Sequence, residues 1–100
     1  MNRKKVEKYL AENVGVDVSF MGFDALVDAI LIVETNPSKY RQSFTAELYD
    51  KILSLPKYQN NTKPQILAWI ARTVKTATNT KYRDMTAKKF IFLALIELGG

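Results

Sequence analysis

The sequence lacks both cysteine and histidine, and these two absences remove most of the side chains that carry small-enzyme chemistry. Without cysteine there is no disulfide and no thiolate nucleophile or ligand. Without histidine there is no imidazole to act as a general base or to bind a metal. We therefore expect no catalytic residue, no metal site, no cofactor and no small-molecule substrate.

Glycine and proline are scarce, and no long hydrophobic run is present. Four Gly and three Pro among 100 residues, with 47% hydrophobic residues, are typical of one small globular domain. The longest apolar stretch, residues 90–96, is far shorter than the roughly 20 residues that cross a bilayer. The basic start is not followed by an apolar signal region. We expect a single cytoplasmic domain over residues 1–100, without a membrane partner.

The net charge of +5 is unevenly distributed along the chain. Residues 1–50 hold six basic and eight acidic residues, whereas residues 51–100 hold nine basic residues and only Asp84 and Glu97 as acids. A surplus of positive charge raises the local concentration of phosphate groups. The second half of the chain is therefore predicted to bind a nucleic acid in preference to a membrane. Surplus lysine that serves solubility is the alternative explanation.

The spacing of apolar residues predicts an all-α fold, a compact six-helix domain without a sheet. Gly15 ends the first helix and begins a packed loop, and Asn36-Pro37 ends the second helix and caps the third. Pro56 ends the fourth helix, residues 79–84 form a loop, and Thr86 caps the last helix. The predicted helices cover residues 3–13, 23–35, 37–42, 45–53, 64–78 and 86–98.

The fourth and fifth predicted helices form a helix-turn-helix-like pair over about residues 44–78, although their connection is longer than usual. Projection of residues 64–78 at about 100° per residue gives two faces. The inner face holds Ile66, Ile70, Thr73, Val74 and Ala77, and the outer face holds Gln65, Ala68, Arg72 and Lys75. A polar stripe of this kind fits a recognition helix, but every surface helix has one.

The outer face carries side chains that can read DNA. Arginine grips guanine or phosphate, glutamine pairs with adenine, lysine binds phosphate, and Ala68 can touch only a thymine methyl. We predict duplex contacts by Lys63, Gln65, Ala68, Arg72 and Lys75, and phosphate contacts by Lys57, Asn61, Lys81 and Arg83. The alternative is a protein contact through the apolar flank Leu67, Trp69 and Ala71, although a tryptophan at this position is more typical of the core.

Asp24 and Asp28 lie one helical turn apart, a spacing that is suitable for acid/base work or for magnesium. No other group in the sequence is predicted to converge on them. We interpret the pair as a helix-start charge and a solvated helix face.

Several short motifs share their register with one known family. They are Val14-Gly15-Val16, Gly22-Phe23 seven residues after the first glycine, Ser43-Phe44-Thr45 with Leu48-Tyr49, the spacing of Ile66, Ile70 and Val74, and Thr86 with Phe90-Ile91. Over residues 6–98 the chain resembles the DNA-binding effector domain of the sporulation stage zero A response regulators. The family has more charge on its recognition helix, where this chain has Leu67, Ala68 and Ala71.

The resemblance implies a transcription regulator in which residues 64–78 enter the major groove and residues 45–53 support them. It also implies a dimer on a short repeated element of double-stranded DNA, in contact with RNA polymerase. Five residues before Val6 are too few for the usual receiver domain, so we expect no control by phosphotransfer on this chain. The alternative is an interaction module on the same scaffold, which has lost base reading and antagonises a full-length regulator by forming mixed dimers.

Overall fold

This computed structural model describes residues 1–99, which contain seven α-helices and no β-strand. The all-α prediction is confirmed. The predicted count of six helices misses one short helix, which lies in the segment 79–84 that was predicted as a loop. The helices are α1 (Arg3–Lys8), α2 (Gly22–Thr35), α3 (Pro37–Gln42), α4 (Tyr49–Leu53), α5 (Lys63–Lys75), α6 (Thr80–Arg83) and α7 (Ala87–Gly99).

Three further helical segments adjoin α1 and α4. A π-helical turn, Tyr9–Val14, continues α1, and another, Phe44–Leu48, leads into α4. A 3₁₀ turn, Pro56–Tyr58, follows α4. The predicted first and fourth helices are therefore present as mixed segments that change hydrogen-bonding pattern along their length.

Polar side chains begin several helices at the positions that the sequence indicates. The side chain of Asn36 accepts a hydrogen bond from the amide of Lys39, and Thr86 accepts one from the amide of Lys89. Such caps satisfy amide groups that have no partner inside the first helical turn. The predicted caps of α3 and α7 are confirmed.

Helix α2 runs through the middle of the fold. Its residues from Ala25 to Ile30 are all buried, and it packs against α1, α4, α5 and α7. A helix that is apolar nearly all round has to be covered on several sides, because each exposed apolar face would cost free energy in water. Helix α2 is therefore the central helix, with neighbours on several sides.

Two glycines allow α5 and the residues that follow it to pack closely against the N-terminal half of the chain. Gly15 has a left-handed backbone (φ 77°), and a Cβ atom there would lie 3.2 Å from the Cβ of Thr78. At Gly22 a Cβ atom would lie 2.8 Å from the carbonyl carbon of Trp69. Real Cβ atoms do not approach a carbonyl carbon so closely. The absence of a side chain at Gly22 therefore allows α5 to lie this close to α2.

None of the helices in residues 1–99 has the length and apolar character that crossing a membrane would require.

Candidate nucleic-acid interface

The inner face of α5 is buried as predicted. Ile66, Ile70, Thr73 and Val74 are 0 or 1% exposed, and Ala77, beyond the end of the helix, is also buried. Thr73 is one of two buried polar or charged residues among those described, and its hydroxyl donates to the carbonyl of Trp69 at 2.7 Å. The helix thus has one fully covered side, which leaves the opposite side to face outward.

Helix α5 ends at Lys75, three residues before the predicted end. The amides of Thr78 and Asn79 donate to the carbonyls of Gly15 (3.0 Å) and Val14 (3.2 Å) instead of to carbonyls within the helix. The Thr76 hydroxyl accepts from the amide of Asp17 at 2.9 Å. Tertiary hydrogen bonds replace the helical ones here, and they join the end of α5 to the loop after Val14.

Arg72 and Lys75 are exposed on the outer face of α5. Within residues 1–99, neither side chain has a carboxylate within 4.0 Å. Ala68 lies half-buried one turn before Arg72 and adds no hydrogen-bonding group. An anionic partner can therefore reach both cations at the surface without displacing an acid of the described residues.

Gln65 is exposed, but its side chain already makes hydrogen bonds within the protein. Its Oε1 accepts hydrogen bonds from the backbone amide of Thr62 at 3.0 Å and from Asn61 Nδ2 at 3.4 Å. The backbone amide of Gln65 in turn donates to the Thr62 hydroxyl. This reciprocal arrangement is a capping box, and the spacing Thr-x-x-Gln is a sequence signal for it. Bidentate pairing of Gln65 with adenine would have to break the box.

Three of the lysines predicted at the interface form ion pairs with acids elsewhere in the chain. The Nζ of Lys57 lies 3.0 Å from Asp28, that of Lys63 lies 2.9 Å from Asp50, and that of Lys81 lies 2.9 Å from Glu97. The charge of residues 56–89 is thus partly balanced by acids outside that segment. The sequence alone does not indicate these pairs, because they join residues that are distant along the chain.

The Asp28 carboxylate is buried and joins three segments. It accepts hydrogen bonds from Arg3 Nη1 and from the Tyr58 hydroxyl, both at 2.6 Å, beside Lys57. Burial alone would raise the pKa of Asp28, but the hydrogen bonds from Tyr58, Arg3 and Lys57 outweigh it and lower the pKa below its ordinary value. The interpretation of Asp28 as a solvated helix face is therefore wrong, because Arg3 and the 3₁₀ turn cover it. Asp24 is exposed and pairs with Arg3.

Glu97 forms a similar cluster with two tyrosines and a lysine. Its carboxylate accepts hydrogen bonds from the hydroxyls of Tyr9 and Tyr82, the second at 2.7 Å, and pairs with Lys81. The hydrogen bond from Tyr9 is the main reason that the pKa of Glu97 is lowered to about 2. Glu97 is therefore ionised at neutral pH, and it fixes α6 and the end of α1 to α7.

The other two side chains predicted to contact phosphate, Arg83 and Asn61, also make hydrogen bonds within the protein. The Nε of Arg83 donates to the carbonyl of Ala77 at 3.0 Å, so its guanidinium lies beside the end of α5. Asn61 is half-buried and donates to Gln65. Both side chains keep further donors at the surface, because a guanidinium and a carboxamide have more than one N–H group.

The predicted apolar flank of α5 is less exposed than its sequence indicates. Leu67 and Trp69 are half-buried and pack against the core, while Ala71 is exposed. The larger exposed apolar side chains are elsewhere: Val18 is 56% exposed, Met21 65% and Ile96 70%. The outer face of α5 is therefore mainly polar.

Comparison with protein-family models, with curated proteins and with solved structures finds no match to this chain. The resemblance to the sporulation regulators thus stays a prediction from motifs.

Proposed function

We propose that this protein binds double-stranded DNA through the outer face of α5 and acts as a transcription regulator. The observation that carries the proposal is the pair of exposed cations, Arg72 and Lys75, which have no carboxylate partner within residues 1–99. They lie one turn apart on a helix whose opposite side is buried. An exposed helix with free cations fits the major groove in width and in charge.

The arrangement around α5 supports the same function. Helix α4 packs against α5, and α5 begins with a capping box that fixes its first turn. A recognition helix has to be held rigidly, because base contacts depend on the position of each side chain. Helix α5 has this support from α2 and α4 together.

The sequence specificity expected for this interface is modest. Arg72 is the side chain on the outer face that can grip a guanine edge, since Gln65 serves the capping box and Ala68 has no polar group. Phosphate contacts then supply most of the binding free energy, and binding depends strongly on salt.

The test is fluorescence anisotropy with a labelled duplex at several salt concentrations. We expect the double variant Arg72→Ala, Lys75→Ala to weaken binding by roughly a hundredfold at low salt and to reduce the slope of log K against log salt by roughly two. The matched control is Lys4→Ala, Lys8→Ala, which removes two exposed charges from α1. Equal loss in both variants would show dependence on net charge alone, and an unchanged affinity in the first would contradict the site.

A protein-interaction module, acting as an antagonist of a full-length regulator, is the second candidate. The exposed apolar side chains of Val18 and Met21 favour it. Their loop is joined to the residue after α5 by the hydrogen bond from the Asp17 amide to the Thr76 hydroxyl. Under this function the chain would bind a protein partner through the loop, and the variant Met21→Glu would abolish that contact. The same anisotropy experiment would then find no salt-sensitive DNA binding.

A further inference from the structure

The three ion-paired lysines near α5 differ in how deeply their carboxylate partners are buried. The side chain of Asp28, paired with Lys57, is 9% exposed, and that of Glu97, paired with Lys81, is 26% exposed. The side chain of Asp50, paired with Lys63, is 68% exposed. Because an ion pair is weaker where water surrounds it, these three lysines are not equally free to change partner.

Lys57 and Lys81 each belong to a shared cluster. In both cases the next residue is a tyrosine whose hydroxyl donates to the same carboxylate, at 2.6 Å for Tyr58 and 2.7 Å for Tyr82. Removal of the lysine from either cluster would leave a poorly solvated carboxylate with less compensation. We therefore expect Lys57 to stay paired with Asp28, and Lys81 with Glu97, when DNA binds.

Lys63 has the opposite situation. Within residues 1–99, Asp50 is its ionic partner, and the described residues give Asp50 no further side-chain donor. The lysine is the first residue of α5, and Asp50 lies in the first turn of α4, so their contact spans the helix-turn-helix-like pair. Because the Asp50 side chain is 68% exposed, water can solvate its carboxylate after Lys63 leaves it.

We propose that Asp50 lowers the DNA affinity of this interface, because it competes with a backbone phosphate for Lys63. This inference rests on the proposed function. In the free protein Lys63 is held by Asp50, and in the complex it turns to a phosphate while the carboxylate is left near the duplex. Asp50 thus weakens binding twice, since it holds the lysine before binding and repels phosphate afterwards.

The test compares DNA affinity by anisotropy between the unchanged chain and Asp50→Asn. We expect Asp50→Asn to tighten binding about three- to fivefold at low salt, and the gain to shrink as salt screens the charges. The matched control is Glu47→Gln, since Glu47 lies one turn before Asp50 and pairs at 3.3 Å with Lys39, a lysine outside the interface. An equal gain in Glu47→Gln would overturn the inference, because net charge alone would then explain it.

A double-mutant cycle gives a second and independent readout. Competition requires Lys63→Gln to weaken binding more in the Asp50→Asn background than in the unchanged chain, because Lys63 is fully available only there. Additive effects would overturn the inference even if Asp50→Asn binds more tightly. Thermal unfolding of each variant checks that the fold is kept.

The outcomes separate this inference from the proposed function. If the unchanged chain binds no duplex DNA at low salt, the proposed function and this inference both fail. If it binds, and binding depends on Arg72 and Lys75 but not on Asp50, only this inference fails.

Discussion

Gly22 and Trp69 meet where α2 crosses α5, so closely that a Cβ atom on Gly22 would lie 2.8 Å from the carbonyl carbon of Trp69. The backbone of one helix therefore touches the backbone of the other. Neighbouring helices are usually 8–10 Å apart because side chains separate them. Here the missing side chain lets α2 hold the helix that is proposed to bind DNA.

The first prediction concerns this crossing. Gly22→Ala should lower the free energy of unfolding by about 1–3 kcal/mol, because the new methyl group meets backbone atoms that cannot move aside. Denaturant unfolding measures the change. Gly99→Ala is the matched control, since a Cβ atom at Gly99 meets nothing within 4 Å. If both variants lose the same stability, the close crossing is not the cause.

The second prediction separates two effects at Gly15. Gly15→Ala should destabilise the fold because its left-handed backbone (φ 77°) disfavours a side chain, by about 1–2 kcal/mol, and because the methyl meets Thr78. Adding Thr78→Ala should recover the part that is due to the contact. Urea unfolding of the single and double variants gives both contributions. If the double variant loses as much stability as the two single variants together, the methyl group does not clash with Thr78.

The third prediction concerns acid stability. The folded pKa of Glu97 is lowered to about 2 from an ordinary 4.5, so its contribution is complete above about pH 4.5 and is lost as pH falls towards 2. Glu97→Gln should therefore be less stable at neutral pH and should show a flatter decline of stability between these two values. The measurement is the unfolding midpoint as a function of pH. If Glu97→Gln loses stability as steeply as the unchanged chain between these pH values, Glu97 is not the group responsible.

The fourth prediction tests the role of Gln65 in the capping box. Gln65→Glu keeps an acceptor for the Thr62 amide and places a negative charge at the positive end of α5, so stability should be kept. Gln65→Ala should lose a few tenths of a kcal/mol to about 1 kcal/mol. Thermal unfolding measures both. A strong loss of stability in Gln65→Glu would show that the capping box needs the amide.

Much of the fold follows from periodicity and capping. The spacing of Ile66, Ile70 and Val74 predicts which side of α5 is buried, and all three residues are buried. Such a pattern is local, so it can be read from the sequence. Periodicity does not reveal the short helix α6, because its four residues make only about one turn and no apolar position can repeat. The capping residue Asn79 is the signal in the sequence that indicates it.

The surroundings of the candidate site were harder to predict. The partners of Lys57, Lys63 and Lys81 are carboxylates that only the folded chain brings to them. Charge counted along the sequence therefore overstates the free positive charge near α5. Asp28 was wrongly interpreted for the same reason, because its burial depends on Arg3 and Tyr58, which are distant in sequence.

The most direct test of the central claim is an NMR titration of the ¹⁵N-labelled protein with a short duplex at low salt. We predict that the largest amide shift changes follow the outer face of α5 around Arg72 and Lys75, and that higher salt reverses them. The loop around Val18 and Met21 should change little. Saturable shifts in that loop with none at Arg72 and Lys75, or no shifts at all, would contradict a DNA interface on α5.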